Sequence, residues 1–189
     1  MKKIYLLIFI FFGITTNVNA DTNRLVSGEI DAKITIIAYE SLTCSHCASF
    51  HKDIYPQLKK DFLDTGLAKI EFRHFPLDIA AFNAAKIAQC NYDQGLEILE
   101  SLYSNQQEWV RGSSIEEVND NLKNFIEKEG FKINFEKCIN NKNIEDFVLN
   151  DRVEGVKNFK VNATPTIIIN NKKFEKTLNY KNLKKTLEK

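Results

Sequence analysis

Two cysteines separated by two residues, in Cys44-Ser45-His46-Cys47, are the side chains of this sequence best suited to chemistry. At that spacing the two sulfurs can pass between dithiol and disulfide with little movement of the backbone. The apolar, β-branched run Ile34 to Ala38 precedes them, and a helix-like run, Ala48 to Leu63, follows. The motif therefore falls at a strand-to-helix junction. There the free N–H groups and positive dipole end of a helix stabilise a thiolate on the first cysteine. Redox exchange is the reading this pattern favours, with a structural or metal-binding pair as the alternative.

The elements that must position this motif begin after an export signal. Lys2-Lys3, the apolar run Ile4 to Ile14 and the small residues Val18-Asn19-Ala20 read as a signal peptide over residues 1–20, leaving Asp21 first. The apolar run is short for a membrane span, and no cysteine follows the cleavage point to carry a lipid. An uncleaved anchor is the alternative. The chain has 189 residues and a net charge of +1, and loss of a leader with two lysines and no acids makes it −1. Charge so balanced and scattered does not suit a nucleic-acid surface. Low glycine and proline and the absence of repeats point to one compact body of a length that buries a sizeable core. A monomer is expected.

All four cysteines (Cys44, Cys47, Cys90 and Cys138) lie beyond the leader, and export to an oxidising compartment makes disulfides plausible. Four cysteines allow three pairings. Proximity favours Cys44 with Cys47, which leaves Cys90 with Cys138 as a structural disulfide. Two buried thiols or a second redox centre are the alternatives for that second pair.

Ile34 to Ala38 reads as a buried central strand. Phe50, Ile54, Leu58 and Phe62 form an apolar stripe on the following helix, which Pro56 should kink. Ala68 to Phe75 alternates as a second strand, stopped by Pro76. From Asp78 to about Asn140 the period is helical, with three or four helices. One face carries Ile115, Val118, Leu122, Phe125 and Ile126, and another Leu96, Leu99, Leu102 and Tyr103. A helix from Ile144 to Phe159 is expected to bury Ile144, Phe147, Val148, Val156 and Phe159. Thr166 to Ile169 resumes strand character, Asn170-Asn171 turns it, Phe174 lies in a short returning strand, and a helix from Tyr180 closes the chain.

This order resembles a thioredoxin-like α/β fold with an inserted all-helical subdomain, as in the DsbA family of periplasmic disulfide oxidases and its α-proteobacterial branch. The resemblance rests on Tyr39 to His51 around the cysteines, on Phe72-Arg73-His74-Phe75-Pro76-Leu77-Asp78, and on Ala163-Thr164-Pro165-Thr166. It implies a thioredoxin-like domain over 21–77 and 141–189, with residues 78–140 as the helical insertion. Cys44 would be the exposed nucleophile and Cys47 the buried cysteine that closes the ring. His46 would stabilise the Cys44 thiolate. Pro165 would be a cis-proline facing the sulfurs, and Thr164 would offer its backbone to a bound peptide. A proline at a strand start otherwise needs explaining, since it withholds a ladder hydrogen bond.

The resemblance further implies a periplasmic thiol–disulfide oxidoreductase that oxidises cysteines of newly exported proteins, without a cofactor and with a membrane DsbB-like protein as its reoxidant. Two departures are visible. Ser45 stands where the archetype has proline. Ala38 stands where related proteins bury a carboxylate; Glu40 has the same strand parity but is expected nearer the surface. His51 and His74 are expected to serve packing or the surface, and Trp109 the core. The competing functions are an isomerase or reductase of the same fold, or a copper-handling protein. Isomerases of this kind carry a separate dimerisation region, against the dozen or so residues (Asp21 to Lys33) that precede the first expected strand. Zinc usually needs a second close ligand pair, which Cys90 and Cys138 do not supply.

Overall fold

A computed structural model describes residues 23–189. The signal-peptide reading of residues 1–20 falls outside them. Among the described residues no helix is long and apolar enough to cross a membrane.

The strand dense in β-branched residues, β2 (Ile34–Glu40), is the middle of a five-stranded mixed sheet. It pairs in parallel with β3 (Ala68–His74) and antiparallel with β4 (Thr166–Ile169). Successive side chains of a strand point to opposite faces, so β2 feeds two cores. Ile36 and Ala38 join the larger one, under the helices; Ile37 and Tyr39 join Phe75, Val161 and Ile168 in a smaller one on the other face. At the edges lie β1 (Leu25–Gly28), antiparallel to β3, and the two-residue β5 (Lys172–Lys173). The sequence reading missed β1, because four residues paired along one edge are too short to show a period. Phe174 lies just beyond β5, where its N–H donates to the Ile167 carbonyl. Asn170 and Asn171 both have positive φ (46° and 63°), the backbone that a two-residue hairpin turn needs and asparagine tolerates.

The helical run after the cysteines changes register repeatedly. It passes from α1 (Ser45–Ser49) through π-helical Phe50–Ile54 to α2 (Tyr55–Leu58), then π-helical Lys59–Leu63. Pro56 falls in the first turn of α2, where its missing N–H costs least. Phe50, Leu58 and Phe62 are buried, as the stripe predicts. Between β3 and the long helix stand five helices rather than three or four: α3 (Ile79–Gln89), α4 (Tyr92–Ser104), α5 (Gln106–Trp109), α6 (Ile115–Lys128) and α7 (Phe135–Ile139). Two of the five, α5 and α7, are single turns. Cys90 at the end of α3 and Cys138 on α7 are joined by a disulfide, with Cα atoms 5.5 Å apart.

α8 (Lys142–Phe159) corrects one expectation. Its buried line is Ile144, Val148, Asp151 and Gly155; Phe147 and Phe159 are only half-buried, and Leu149, Val153 and Val156 are exposed at 41%, 60% and 47%. A polar residue and a glycine occupy the buried face for specific reasons. Asp151 accepts from the His74 backbone N–H at 3.0 Å and pairs with Arg24. At Gly155 a Cβ would lie 2.8 Å from the Tyr39 ring. The helix α9 (Tyr180–Leu187) closes the fold, burying Leu183 and Leu187.

Candidate active site

The turn that follows β2 is held from three directions. The Gln106 side chain, buried at the start of α5, donates to the carbonyls of Leu42 (2.7 Å) and Cys44 (3.2 Å). Thr43 donates to Asp78 at 2.7 Å, and the other Asp78 oxygen caps α3 by accepting from the Ala81 N–H. The Ser41 hydroxyl accepts from the Leu77 N–H. Cys44 is thereby fixed as the N-cap residue of α1, with Cys47 one turn deeper and fully buried.

The two thiols are unequal, and both are free in this structure. Cys44 is half-buried, and its thiol is lowered from the ordinary range to about 5. The largest cause is the hydrogen bond from the Cys47 thiol. Partial burial opposes it, while Thr164 and the backbone N–H groups of Cys47 and His46 reinforce it. Cys47 is pushed far above the usual thiol range by burial, by its bond to Cys44 and by the charge of Glu40. One sulfur is therefore a ready nucleophile near neutral pH and the other holds its proton.

The segment before β4 completes the arrangement. The Thr164–Pro165 peptide bond is cis, and the Cys44 thiol donates to the Thr164 carbonyl at 3.4 Å across 120 residues of sequence. His46 enters through its backbone. Its imidazole is exposed and makes no hydrogen bond to the described residues, while its N–H points at Cys44.

Glu40 corrects a second expectation. It is 4% exposed and not near the surface, and its Oε2 lies 2.8 Å from Nε2 of His51, itself buried. The sequence separates them by the turn after β2 and the helix α1, but the strand's last residue and the inner face of the following π-helical turn meet in the core. Ala38, where a carboxylate was looked for, is fully buried beside Phe72 in the strand register. His74 is also buried, bonded to Gln89 at 3.2 Å, with burial lowering its pKa. Trp109 is in the core and donates to the Leu102 carbonyl at 2.9 Å. Asp78 entered the sequence reading as the last residue of the Phe72–Asp78 stretch, and Gln106 carried no signal there. Among the described residues no three His, Cys, Asp or Glu side chains gather as metal ligands would.

A cysteine pair of opposed character, with the carbonyl that precedes a cis-proline against the first sulfur, can be set beside known proteins. Residues 20–189 match the thioredoxin family. The chain belongs to that family. The disulfide bond formation protein D of Bacillus subtilis is 29% identical over 181 residues, which is 87% of this chain and 75% of that protein. A Rickettsia typhi relative, named as a protein-disulfide oxidoreductase, is 27% identical over 83% of this chain, which spans 59% of that relative's length. The crystal structure of Wolbachia pipientis alpha-DsbA1 superposes with a TM-score of 0.78 and 27% identity, covering 88% of this chain and 89% of that one. The fold is thioredoxin-like and DsbA-like, and the chain is a thiol–disulfide oxidoreductase.

Proposed function

We propose that this oxidoreductase works in the oxidising direction, outside the cytoplasm, on cysteine-containing proteins that have just been exported. A substrate thiolate attacks Cys44 of the Cys44–Cys47 disulfide, and Cys47 leaves. A second substrate thiol then attacks the mixed disulfide, releasing an oxidised substrate and the Cys44 thiolate. The Thr164 carbonyl, beside Cys44 and ahead of the cis-proline, would be the backbone group offered to an extended substrate segment. A membrane DsbB-like protein would restore the disulfide, and a monomer suffices for the cycle.

The observation that carries the direction is the Cys44 thiol lowered to about 5. Below its ordinary value a thiolate stabilises the reduced form, which makes the disulfide a better oxidant. Reference cysteines at ~7 in thioredoxin and ~3.5 in DsbA accompany potentials of about −270 and −120 mV. A value near 5 lies two units below thioredoxin, and at ~30 mV per unit this alone places the couple near −210 mV or higher. The equilibrium of Cys44/Cys47 against glutathione tests it. A potential close to that of thioredoxin would turn the reading to a reductase. Trapping tests the division of labour: offered a disulfide-bonded substrate, Cys47→Ala should attack it with Cys44 and accumulate the mixed disulfide as one substrate sulfur leaves as a thiolate, and Cys44→Ala should not.

A further inference from the structure

The near-neutral balance of the whole chain hides a strong segregation of charge. Residues 157–189 hold nine lysines and two glutamates, whereas residues 23–156 hold fifteen lysines and arginines against twenty-two aspartates and glutamates. The fold gathers the lysine-rich segment at one edge of the sheet, where β5, the turn before it and the end of α8 adjoin. Nζ of Lys173 lies 3.5 Å from the Lys160 carbonyl, and Nζ of Lys160 donates to the Lys157 carbonyl at 3.3 Å. A groove of about 440 Å³ along this edge is lined by Lys172, Lys173 and Lys176, by the half-buried Ile169 and Phe174, and by one acid, Glu175. Lys176 donates to Thr186 at 3.2 Å, which brings α9 and its lysines to the same edge. Among the described residues, Lys184 is the one lysine of the nine that pairs with acids, Asp61 and Glu188. The positive charge of this edge is therefore almost wholly unneutralised.

We propose that the β5 edge and the adjoining end of α8 form a docking face for an anionic phospholipid bilayer. Lysines on an edge strand discourage edge-to-edge pairing, but β5 contributes two of the nine, so that role leaves the others unexplained. Like charges held together without counter-charges repel, a cost that an anionic surface offsets. The segment carries no arginine, whose planar fork suits bidentate grip on a single phosphate or carboxylate. Its ammonium groups do not converge either, since those of Lys160, Lys173 and Lys176 turn to three different acceptors. Flexible point charges spread in this way match a surface of many mobile headgroups better than one enclosed anion. Lysine stems can cover Ile169 and Phe174 while their charged ends reach the headgroups. Clusters of about four to eight basic residues beside a bilayer are the usual signature of attraction to anionic lipid.

The face is placed so that docking leaves the cysteines open. In the register of β2 and β4, Thr166 pairs with Tyr39 towards the active-site turn, and Ile169 pairs with Ile36 at the other end. The turn Asn170-Asn171 thus lies about 10 Å along the strand from Thr166, on the side away from Thr164 and Cys44. The acidic remainder of the molecule, repelled by the same surface, would turn outward. Held in this way, the protein would meet exported chains as they leave the membrane and would share that surface with a membrane reoxidant. This use rests on the oxidase reading above; the docking itself does not.

The test is sedimentation of the chain from Asp21 onward, without the apolar leader, in the presence of vesicles. In low-salt buffer the protein should pellet with vesicles of phosphatidylglycerol and phosphatidylcholine in equal parts, and stay in solution with phosphatidylcholine alone. Salt at about 1 M, where screening acts within about 3 Å, should release it. Lys160→Gln, Lys172→Gln and Lys176→Gln together should lower the partition coefficient about 100-fold, at roughly fivefold for each lysine near the surface. All three side chains are exposed, so the fold should be kept. Lys123→Gln, Lys132→Gln and Lys137→Gln, in the α6–α7 region, change the net charge equally and should leave binding close to the parent's. Equal losses in the two triple variants, or equal binding to uncharged vesicles, would overturn the docking face. Release by millimolar inorganic phosphate at constant ionic strength would also overturn it, in favour of a discrete anion site. Binding to soluble polyglutamate but not to vesicles would do so in favour of an acidic protein. Oxidation of a soluble dithiol peptide should be equal in the parent and the edge variant; a parent that fails to oxidise it would refute the oxidase reading and leave the vesicle result standing.

Discussion

The least expected feature of the site is that His46 reaches Cys44 through its backbone, and this separates two substitutions that sequence reasoning would treat alike. His46→Pro removes both the imidazole and the N–H directed at the thiolate; His46→Ala removes only the exposed imidazole. A hydrogen bond to a charged group contributes about 1.5–3 kcal/mol. Cys44 is only half-buried, so screening by water reduces this to about 1–1.5 kcal/mol. That is about one pH unit. His46→Pro should therefore move the Cys44 titration from about 5 to about 6, whereas His46→Ala should leave it near 5. The sign for the redox couple follows. At pH 7 the reduced form is stabilised by its thiolate, and a higher thiol pKa weakens that stabilisation. The potential should fall by about 30 mV in His46→Pro, giving a weaker oxidant. Thiolate absorbance at 240 nm against pH, together with glutathione equilibration, measures both quantities. Cys90 and Cys138 are silent in the titration because they are bonded to each other. Equal shifts in the two variants would show that the imidazole acts, and no shift in either would leave Cys47 and the other donors as the whole cause.

Three other outcomes follow from the same structure. Replacing Cys90 and Cys138 with alanine opens a bridge across 48 residues of sequence; loop closure of that size is worth roughly 4 kcal/mol, so the melting temperature should fall markedly while most oxidase activity survives. Selective loss of activity without loss of stability would instead assign that pair a redox role. The folded Cys44 thiol is depressed to about 5, so the reduced protein should gain stability over the oxidised one as pH rises through 5 towards the ordinary thiol value, and lose that gain as pH falls through 5; denaturant midpoints of both forms against pH check the sign. Gly155→Ala should push α8 off β2, because the new methyl would lie 2.8 Å from the Tyr39 ring, at a cost of about 1–3 kcal/mol in equilibrium unfolding; an unchanged midpoint would show that the ring moves aside freely.

Much of this protein could be read along the chain, for reasons of local physics. The β-branched run of β2, the alternation of β3, the helical periods of α4 and α6 and the asparagine turn after β4 are patterns written over a few consecutive residues. The Cys-x-x-Cys spacing is local too, and a helix start lowers a thiol's pKa wherever it occurs. What lay beyond the sequence depends on which distant surfaces meet. α8 has apolar residues on both sides, so only docking on β2 and β3 decided that Asp151 and Gly155 face inward and Val156 outward. β1 exists because β3 offers an edge to pair with. The burial of Glu40 against His51, the grip of Gln106 on the Cys44 carbonyl and the approach of Thr164 to the Cys44 sulfur each join residues from separate elements. The sequence by itself determined that there would be a reactive cysteine pair on a strand–helix junction. The tertiary structure decided which donors lower one thiol and how deeply the other is buried, because hydrogen bonds and desolvation act over a few ångströms whatever the separation in sequence.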